Sequence, residues 1–286
     1  MASSGLSSIQ NWSLLSIKVE QVEIEAIVQE IKSSPKYRET SEETIRGLVE
    51  VEMGRHKKAR QVVKAVRKRL HTIMAYYLGD ADYQQSEAAL RQAFEQGEPE
   101  SIKHACRAIL AEHPSTRERL EVIDAFYESI FAVTGKPKVL LDLACGLNPL
   151  TFPWMDLPLS LRYYAYDIHQ PRIELLNAYF ELQGLDPLAY EQDVIFHPPE
   201  EHGDVALILK ELPRIDRNYQ GAGLELLRSL QVNFVVVSFP VVSLHGGRDL
   251  EDHYRQYMDE LLEMDTWSAI EIIFSNELVY CLKKLR

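Results

Sequence analysis

Lys138-Val-Leu-Leu-Asp-Leu-Ala-Cys-Gly-Leu-Asn-Pro149 decides how the rest of the chain is read. Its run from Val139 to Leu143 is apolar except for Asp142, and Ala144, Cys145 and Gly146 follow at once. A run of this length without polar alternation predicts a strand buried on both faces. The small residues after it let the backbone turn tightly and approach a ligand closely. In an open α/β sheet, ligands bind where a strand hands over to its loop in this way. Many buried strands that bind nothing also end in a glycine turn, so the stretch needs support from the rest of the chain.

Downstream, strand-like runs recur at Arg162–Tyr166, Leu188–Gln192, Val205–Leu209, Phe234–Phe239, Ala269–Phe274 and Leu278–Leu282. Their alternation with helical segments predicts a mostly parallel sheet with helices on both faces. Asp167 ends the second strand, where a carboxylate can accept from both hydroxyls of an adenosine ribose. Dinucleotide dehydrogenases use the same position, so Asp167 does not choose the cofactor. Asp193 ends the third strand, where it can accept from an adenine amino group, and Lys210 ends the fourth. Each alone reads as an exposed strand-end charge; together they are an ordered set on successive strands. Ser238-Phe239-Pro240 ends the fifth strand and leads into Val241-Val-Ser-Leu-His-Gly-Gly-Arg248. It is either a strand terminator, since Pro240 stops the ladder, or a loop offering an aromatic face to a flipped base.

The N-terminal third reads as all-helical, with apolar residues at helical spacing (Ile24, Ile27, Val28, Ile31; Ile45, Leu48, Val49). From Met53 through Gly79 there is no acidic residue, while Arg55, Lys57, Lys58, Arg60, Lys64, Arg67, Lys68 and Arg69 are basic. The run Gly54 to Leu78 predicts one helix with Lys57, Arg60, Lys64, Arg67, Lys68 and His71 on one side. Val62, Val63, Val66, Leu70, Ile73 and Tyr77 fall on the other. A charge run is usually a solvated face, but a solvated face normally mixes signs. A single-sign stripe suits phosphate neutralisation with counterion release. After it, His113-Pro-Ser-Thr-Arg-Glu-Arg-Leu120 predicts a helix capped by Ser115 or Thr116, with Glu118 completing a capping box and the helix running to about Phe131. Arg119 is either surface charge or a bidentate partner for a ligand carboxylate.

Composition sets the frame. The 286 residues carry a net charge of −12. Residues 1–112 hold 16 basic and 16 acidic residues, so the whole deficit lies in 113–286. That split predicts two domains, 1–112 and 113–286, with different partners. Three cysteines far apart (Cys106, Cys145, Cys281) give no disulfide framework or zinc pattern, and predict a metal-free protein in a reducing compartment. The sequence shows no membrane-length apolar run and no basic signal region, and the expectation is a cytoplasmic monomer. Gly-x-Gly-x-x-Gly is missing, which argues against a nicotinamide oxidoreductase. The Asn/Asp-Pro-Pro-Tyr loop of exocyclic-amine methylation is also missing, and no Pro-Cys nucleophile for pyrimidine C5 is present.

Asp142, Ala144, Gly146 and Asn148 resemble the first motif of class I S-adenosylmethionine (AdoMet) methyltransferases, Asp-x-Gly-x-Gly-x-Gly, with two glycines replaced. From about Ser34 to the C-terminus the chain resembles the aminoglycoside-resistance 16S rRNA methyltransferases (Arm family), which methylate N7 of guanosine 1405. Gly54-Arg-His-Lys57, Arg69-Leu-His71 with Tyr76, His113 to Leu120, Asp142 to Pro149 and Asp167-Ile-His-Gln170 carry that likeness. So do Gln192-Asp-Val194, Lys210 with Leu212-Pro213, and Ser238-Phe-Pro240.

The resemblance implies a Rossmann-like class I AdoMet-dependent domain preceded by an all-helical domain that docks on the 30S subunit through 16S rRNA. It implies that Tyr76, His113, Ser115 and Arg119 belong to the AdoMet site, with Arg119 and the His113–Ser115 turn at the methionine end. Ala144 and Gly146 line the ligand's path, Asp167 with Ile168 takes the ribose, and Gln192, Asp193 and Val194 frame the adenine. Lys210 and Leu212 close the site near the sulfonium. Lys210, Ser238, Phe239 and Pro240 would position the reactants without acid–base catalysis. Arg55, Lys57, Lys58, Arg60, Lys64, Arg67, Lys68 and Arg248 would meet RNA. One departure bears on the target: Val242 stands where the family has a basic residue, and His245-Gly-Gly-Arg-Asp-Leu250 is shorter and lacks Gly-Met. The alternatives are a methyltransferase for another rRNA site, another RNA or a small molecule, and a non-catalytic RNA-binding homologue.

Overall fold

The computed structural model describes residues 21–74, 82–241 and 250–285. Tyr76 and Arg248 lie outside them. The chain forms two compact units that divide between Leu78 and Gly79, not at 112 where the charge split puts the boundary. Helices α4 (Tyr83–Gln96) and α5 (Pro99–Leu110) account for the difference. Their Leu90, Ala93, Cys106, Ile109 and Leu110 are buried in one core with residues of the sheet.

The first unit contains α1 (described over residues 21–32), α2 (Glu42–Met53) and α3 (Ala59–Met74). Ile24, Ile27, Val28, Ile31, Ile45, Leu48, Val49, Val62, Val63, Val66 and Leu70 are all buried, as their spacing predicts. The basic run is not one helix. α2 ends at Met53 with Gly54 as its C-cap, so Arg55, Lys57 and Lys58 lie in the turn before α3.

In the second unit, α6 (Pro114–Arg119) and α7 (Ile123–Thr134) replace the single helix expected to run to Phe131. Asn276 Nδ2 donates to the Glu118 carbonyl at 2.6 Å, capturing the acceptor that a continuing helix would offer to Val122. There is no capping box either. Pro114 is the first helical residue, and the Glu118 carboxylate goes to Lys210 at 2.8 Å.

Seven strands follow: β1 (Val139–Leu143), β2 (Arg162–Asp167), β3 (Ala189–Glu191), β4 (His202–Leu209), β5 (Gln231–Pro240), β6 (Trp267–Ile273) and β7 (Glu277–Lys284). They form one sheet in the order β3-β2-β1-β4-β5-β7-β6. The first five run parallel, and β7 is antiparallel to both β5 and β6. Alternate residues feed two cores, as a period-2 pleat requires. Leu140, Tyr163, Val205 and Val236 pack with α4, α5, α7 and α8 (Gln170–Gln183). Leu141, Tyr164, Ala206 and Val235 pack with α9 (Leu212–Asn218), α10 (Ala222–Ser229) and α11 (Glu251–Glu263). The strand order reverses direction between β1 and β4. The C-terminal ends of those strands therefore form the crevice where ligands bind in such sheets.

Gly203 shows how closely the sheet is packed. A Cβ there would lie 2.5 Å from Leu141 Cδ1 and 3.2 Å from Val232 Cγ1, and Leu141 is fully buried. Gly203→Ala is expected to cost about 1–3 kcal/mol through overpacking, read as a lower denaturant midpoint at unchanged slope.

Candidate active site

The turn after β1 builds the crevice. Ala144 (φ 50°) and Gly146 (φ 57°) both lie in the left-handed region, a costly conformation for a residue with a Cβ. Two contacts fasten this turn to β2. Cys145 N donates to the Tyr166 carbonyl at 2.9 Å, and Gly146 N donates to Asp167 Oδ2 at 3.0 Å. Asp167 is buried, accepts from His169 N at 3.1 Å, and pairs with Arg172 of α8 at 2.9 Å. Its carboxylate is thus held at the end of β2 by the turn, by the His169 amide that caps α8 and by a buried cation.

Asn148 explains one of the replaced glycines. Its Nδ2 donates to Asp142 Oδ2 at 2.8 Å. Its Oδ1 accepts from Arg119 Nη1 and from the Tyr127 hydroxyl, both at 2.8 Å. One side chain therefore ties β1, α6 and α7 together. Asp142 also accepts from Tyr163 at 2.8 Å. Its Oδ1 is buried and has no hydrogen-bond partner among the described residues. Burial pushes the Asp142 carboxyl up to about 7, against the hydrogen bonds from Asn148 and Tyr163 and the charge of Arg119.

Arg119 is buried, and Glu277 at the start of β7 is its carboxylate partner. Arg119 Nη2 meets Glu277 Oε1 at 2.7 Å, Nε meets Oε2 at 3.2 Å, and the guanidinium lies 4.7 Å from the Phe126 ring centroid. Lys210, at φ 61°, reaches Glu118 at 2.8 Å, Glu277 at 3.4 Å and the Ser115 carbonyl at 3.5 Å. Burial alone would raise the Glu277 carboxyl, but Arg119 and Lys210 hold it below the usual carboxylate range. Ser115 and His113 are joined at 2.8 Å through Oγ and Nδ1.

The other predicted residues divide into two groups. Half-buried Ile168 follows Asp167, and Gln192 N donates to the Asp167 carbonyl at 3.0 Å, bringing β2 and the end of β3 together. The Gln192 side chain turns to the His197 carbonyl at 2.8 Å, and Asp193 accepts from Ile195 N at 3.0 Å. Val194, Leu212 and Phe239 lie in the second core. Phe239 does not offer its face to a base: it is fully buried, stacked on Tyr254 at 4.9 Å with Tyr257 and Tyr280 around it. Ser238 is buried too, and Ser238, Phe239 and Pro240 are ladder residues paired with β7. The sequence reading missed Glu277, Arg172 and the bridging role of Asn148. The only local signals were an acid opening an apolar strand and an arginine beside Ile173 on a core-facing helix.

On the first unit, Lys57, Lys58, Arg60, Lys64, Arg67 and Lys68 are exposed. Arg67 pairs with Glu30 at 3.3 Å, while Arg55 and Arg69 share the buried Glu52 at 3.0 and 2.9 Å. No ion pair among the described residues engages Lys57, Lys58, Arg60, Lys64 or Lys68.

The mostly parallel sheet, its strand order and the turn at Ala144–Gly146 define a class I methyltransferase fold. Within that class, the chain belongs to the ribosomal RNA methyltransferase (FmrO) family, whose profile matches residues 33–281. A 16S rRNA (guanine(1405)-N(7))-methyltransferase of Serratia marcescens is 34% identical over 255 residues, covering 89% of this chain and 96% of that protein. One of Micromonospora echinospora is 30% identical, covering 91% and 97%. The crystal structure of the 16S rRNA methyltransferase RmtF in complex with S-adenosyl-L-homocysteine has a TM-score of 0.76 and 32% identity, covering 92% of this chain and 98% of that one.

Breaking the buried pair at its acidic end leaves two buried cations without Glu277. Glu277→Ala is expected to cost about 3–5 kcal/mol. The Arg119→Met/Glu277→Leu double variant should recover part of that in the same chemical denaturation. Because the folded carboxyl titrates below the unfolded one, its contribution is in force at neutral pH. It disappears as acidification reaches the folded pKa.

Proposed function

We propose that the chain transfers a methyl group from AdoMet to N7 of guanosine 1405 of 16S rRNA in the 30S subunit, and that the mark confers aminoglycoside resistance. The observation that carries this is the acid-lined edge of the sheet: Asp142 in β1, Asp167 closing β2 and Asp193 just beyond β3. These residues fit an adenosyl cofactor. Asp167 suits a ribose diol, Asp193 an adenine amino group, and the unpartnered Asp142 oxygen a cationic ammonium that would hold it ionised. Arg119 would meet the methionine carboxylate with donors beyond the three already engaged by Glu277 and Asn148. His113, Ser115, Ala144, Gly146, Ile168, Gln192, Val194, Lys210 and Leu212 complete the proposed cofactor set, with Tyr76 added from the sequence resemblance.

Bound there, AdoMet supplies a methyl carbon activated by the adjacent sulfonium. Guanine N7 has a free lone pair at neutral pH, so no side chain has to remove a proton before attack. The chain's part is to orient the reactants and exclude water. Lys210 is held at the end of β4 by Glu118 and Glu277, and Ser238, Phe239 and Pro240 support it from β5. Lys210 N donates to the Ser238 carbonyl at 3.0 Å. Phosphate contacts fall to Arg55, Lys57, Lys58, Arg60, Lys64, Arg67 and Lys68, with Arg248 added from the sequence.

Purified protein should methylate assembled 30S subunits, with the mark mapped to guanosine 1405 by primer extension and mass spectrometry. Asp167→Asn should lower AdoMet affinity by at least about tenfold, the loss of a good charge-assisted hydrogen bond. Charge reversal at Lys64 and Arg67 should weaken 30S binding and flatten its salt dependence while leaving AdoMet binding intact. A mark at another nucleotide would move the target, and no mark on any rRNA would refute the assignment.

A further inference from the structure

Glu211 has no part in the cofactor or RNA assignments, yet it lies at the C-terminal edge of the sheet where the crevice forms. It follows Lys210 at the end of β4, beside the point where the strand order reverses, and caps α9 through its carbonyl, which accepts from Arg214 N and Ile215 N. Its side chain is 24% exposed. Arg214 Nη1 donates to Oε2 at 2.8 Å, and no described residue engages Oε1. The charges of Asp167 on β2 and Arg172 on α8 both act on it. β1 alone separates β4 from β2, so Glu211 and Asp167 lie on the same edge of the sheet. Burial pushes it up to about 7; Arg214 and Arg172 oppose the rise and Asp167 adds to it. A single partly buried i,i+3 ion pair contributes little to stability, which does not account for an acid at this strand end.

The chemistry of the reaction does account for it. Methylation at N7 leaves the guanine ring positively charged, and a carboxylate at hand offsets charge as it develops. Guanine also presents N1–H and N2–H on its Watson–Crick edge, two donors matching the two oxygens of a carboxylate, where adenine presents an acceptor at N1. We propose that Glu211 is a specificity-determining residue that faces the target base, accepting from N1–H and N2–H of guanine and offsetting the charge gained at N7. The proposal rests on the N7-methyltransferase reading above. Methyl transfer itself needs nothing from Glu211 as a base: the N7 lone pair forms the new bond, and the carbon–sulfur electrons leave with the thioether.

The test uses the full chain and assembled 30S subunits. Glu211→Gln keeps the shape and removes the charge, and Glu211→Asp keeps the charge. In single-turnover methylation, Glu211→Gln is expected to be slower by about 10–100-fold, in the range of losing one electrostatic stabiliser. S-adenosylhomocysteine binding, 30S binding and the melting temperature should stay within about twofold or a few degrees of wild type. Glu211→Asp should recover part of the rate. The wild-type rate should fall as the pH drops through about 7 and the carboxyl protonates, and Glu211→Gln should lack that limb. A Glu211→Gln protein with the wild-type rate and pH profile would overturn the proposal. So would parallel losses of rate, binding and stability, the mark of a structural role. If the wild-type chain leaves guanine N7 untouched, both this proposal and the reading beneath it fall; an active wild type with an indifferent Glu211→Gln overturns only this one.

Discussion

The hydrogen bond from Gly146 N to Asp167 Oδ2, 3.0 Å long, is the contact on which the crevice depends. It fastens the turn after β1, where Ala144 and Gly146 take left-handed backbone, to the end of β2. With the Cys145 amide on the Tyr166 carbonyl, it gives the turn two amide contacts to β2. Asp167 then becomes the meeting point of the turn, of the first turn of α8 and of Arg172. A carboxylate so held cannot swing out into solvent, which suits it to a fixed, bidentate task.

Around this contact the protein spends stability on buried charge. Asp142, Arg119, Glu277, Lys210, Asp167 and Arg172 are all buried at one end of the sheet. Buried ion pairs add little net stability compared with apolar packing, so their concentration here points to a binding role. Each ion is caught by partners from different elements. Asn148 joins Asp142 to Arg119, and Glu277 joins Arg119 to Lys210. The result is a preorganised polar site whose members share partners, so altering one disturbs several. In the first unit, α3 and the turn before it carry the opposite design: their charge is mostly exposed and all of one sign, suited to a polyanion and not to a small ligand.

Much of this was legible in the sequence because strands buried on both faces leave an unbroken apolar signature. The bounds read for β1, Val139–Leu143, are those observed. The period-3.6 spacing of Val62, Val63, Val66 and Leu70 likewise fixed which side of α3 is buried. What escaped depends on partners remote in the chain. Glu277 lies 158 residues from Arg119, and nothing local distinguishes it from a solvated acid at a strand end. The break between α6 and α7 comes from Asn276 taking the Glu118 carbonyl, again 158 residues away and invisible to propensity. Phe239 beside Pro240 read equally as loop or strand, and three surrounding tyrosines settle it as core. The charge split at 112 does not coincide with the compact division between 78 and 79, because net charge reports surface whereas α4 and α5 are grouped by their buried faces.

The central claim is that the acid-tipped ends of β1, β2 and β3 hold the adenosyl group. Crystallising the chain with S-adenosylhomocysteine asks this directly. The ribose is expected on Asp167, with the adenine beside Asp193 and the amino-acid end near Asp142 and Arg119. Clear density for the ligand elsewhere, with those carboxylates still facing only protein, would contradict the account.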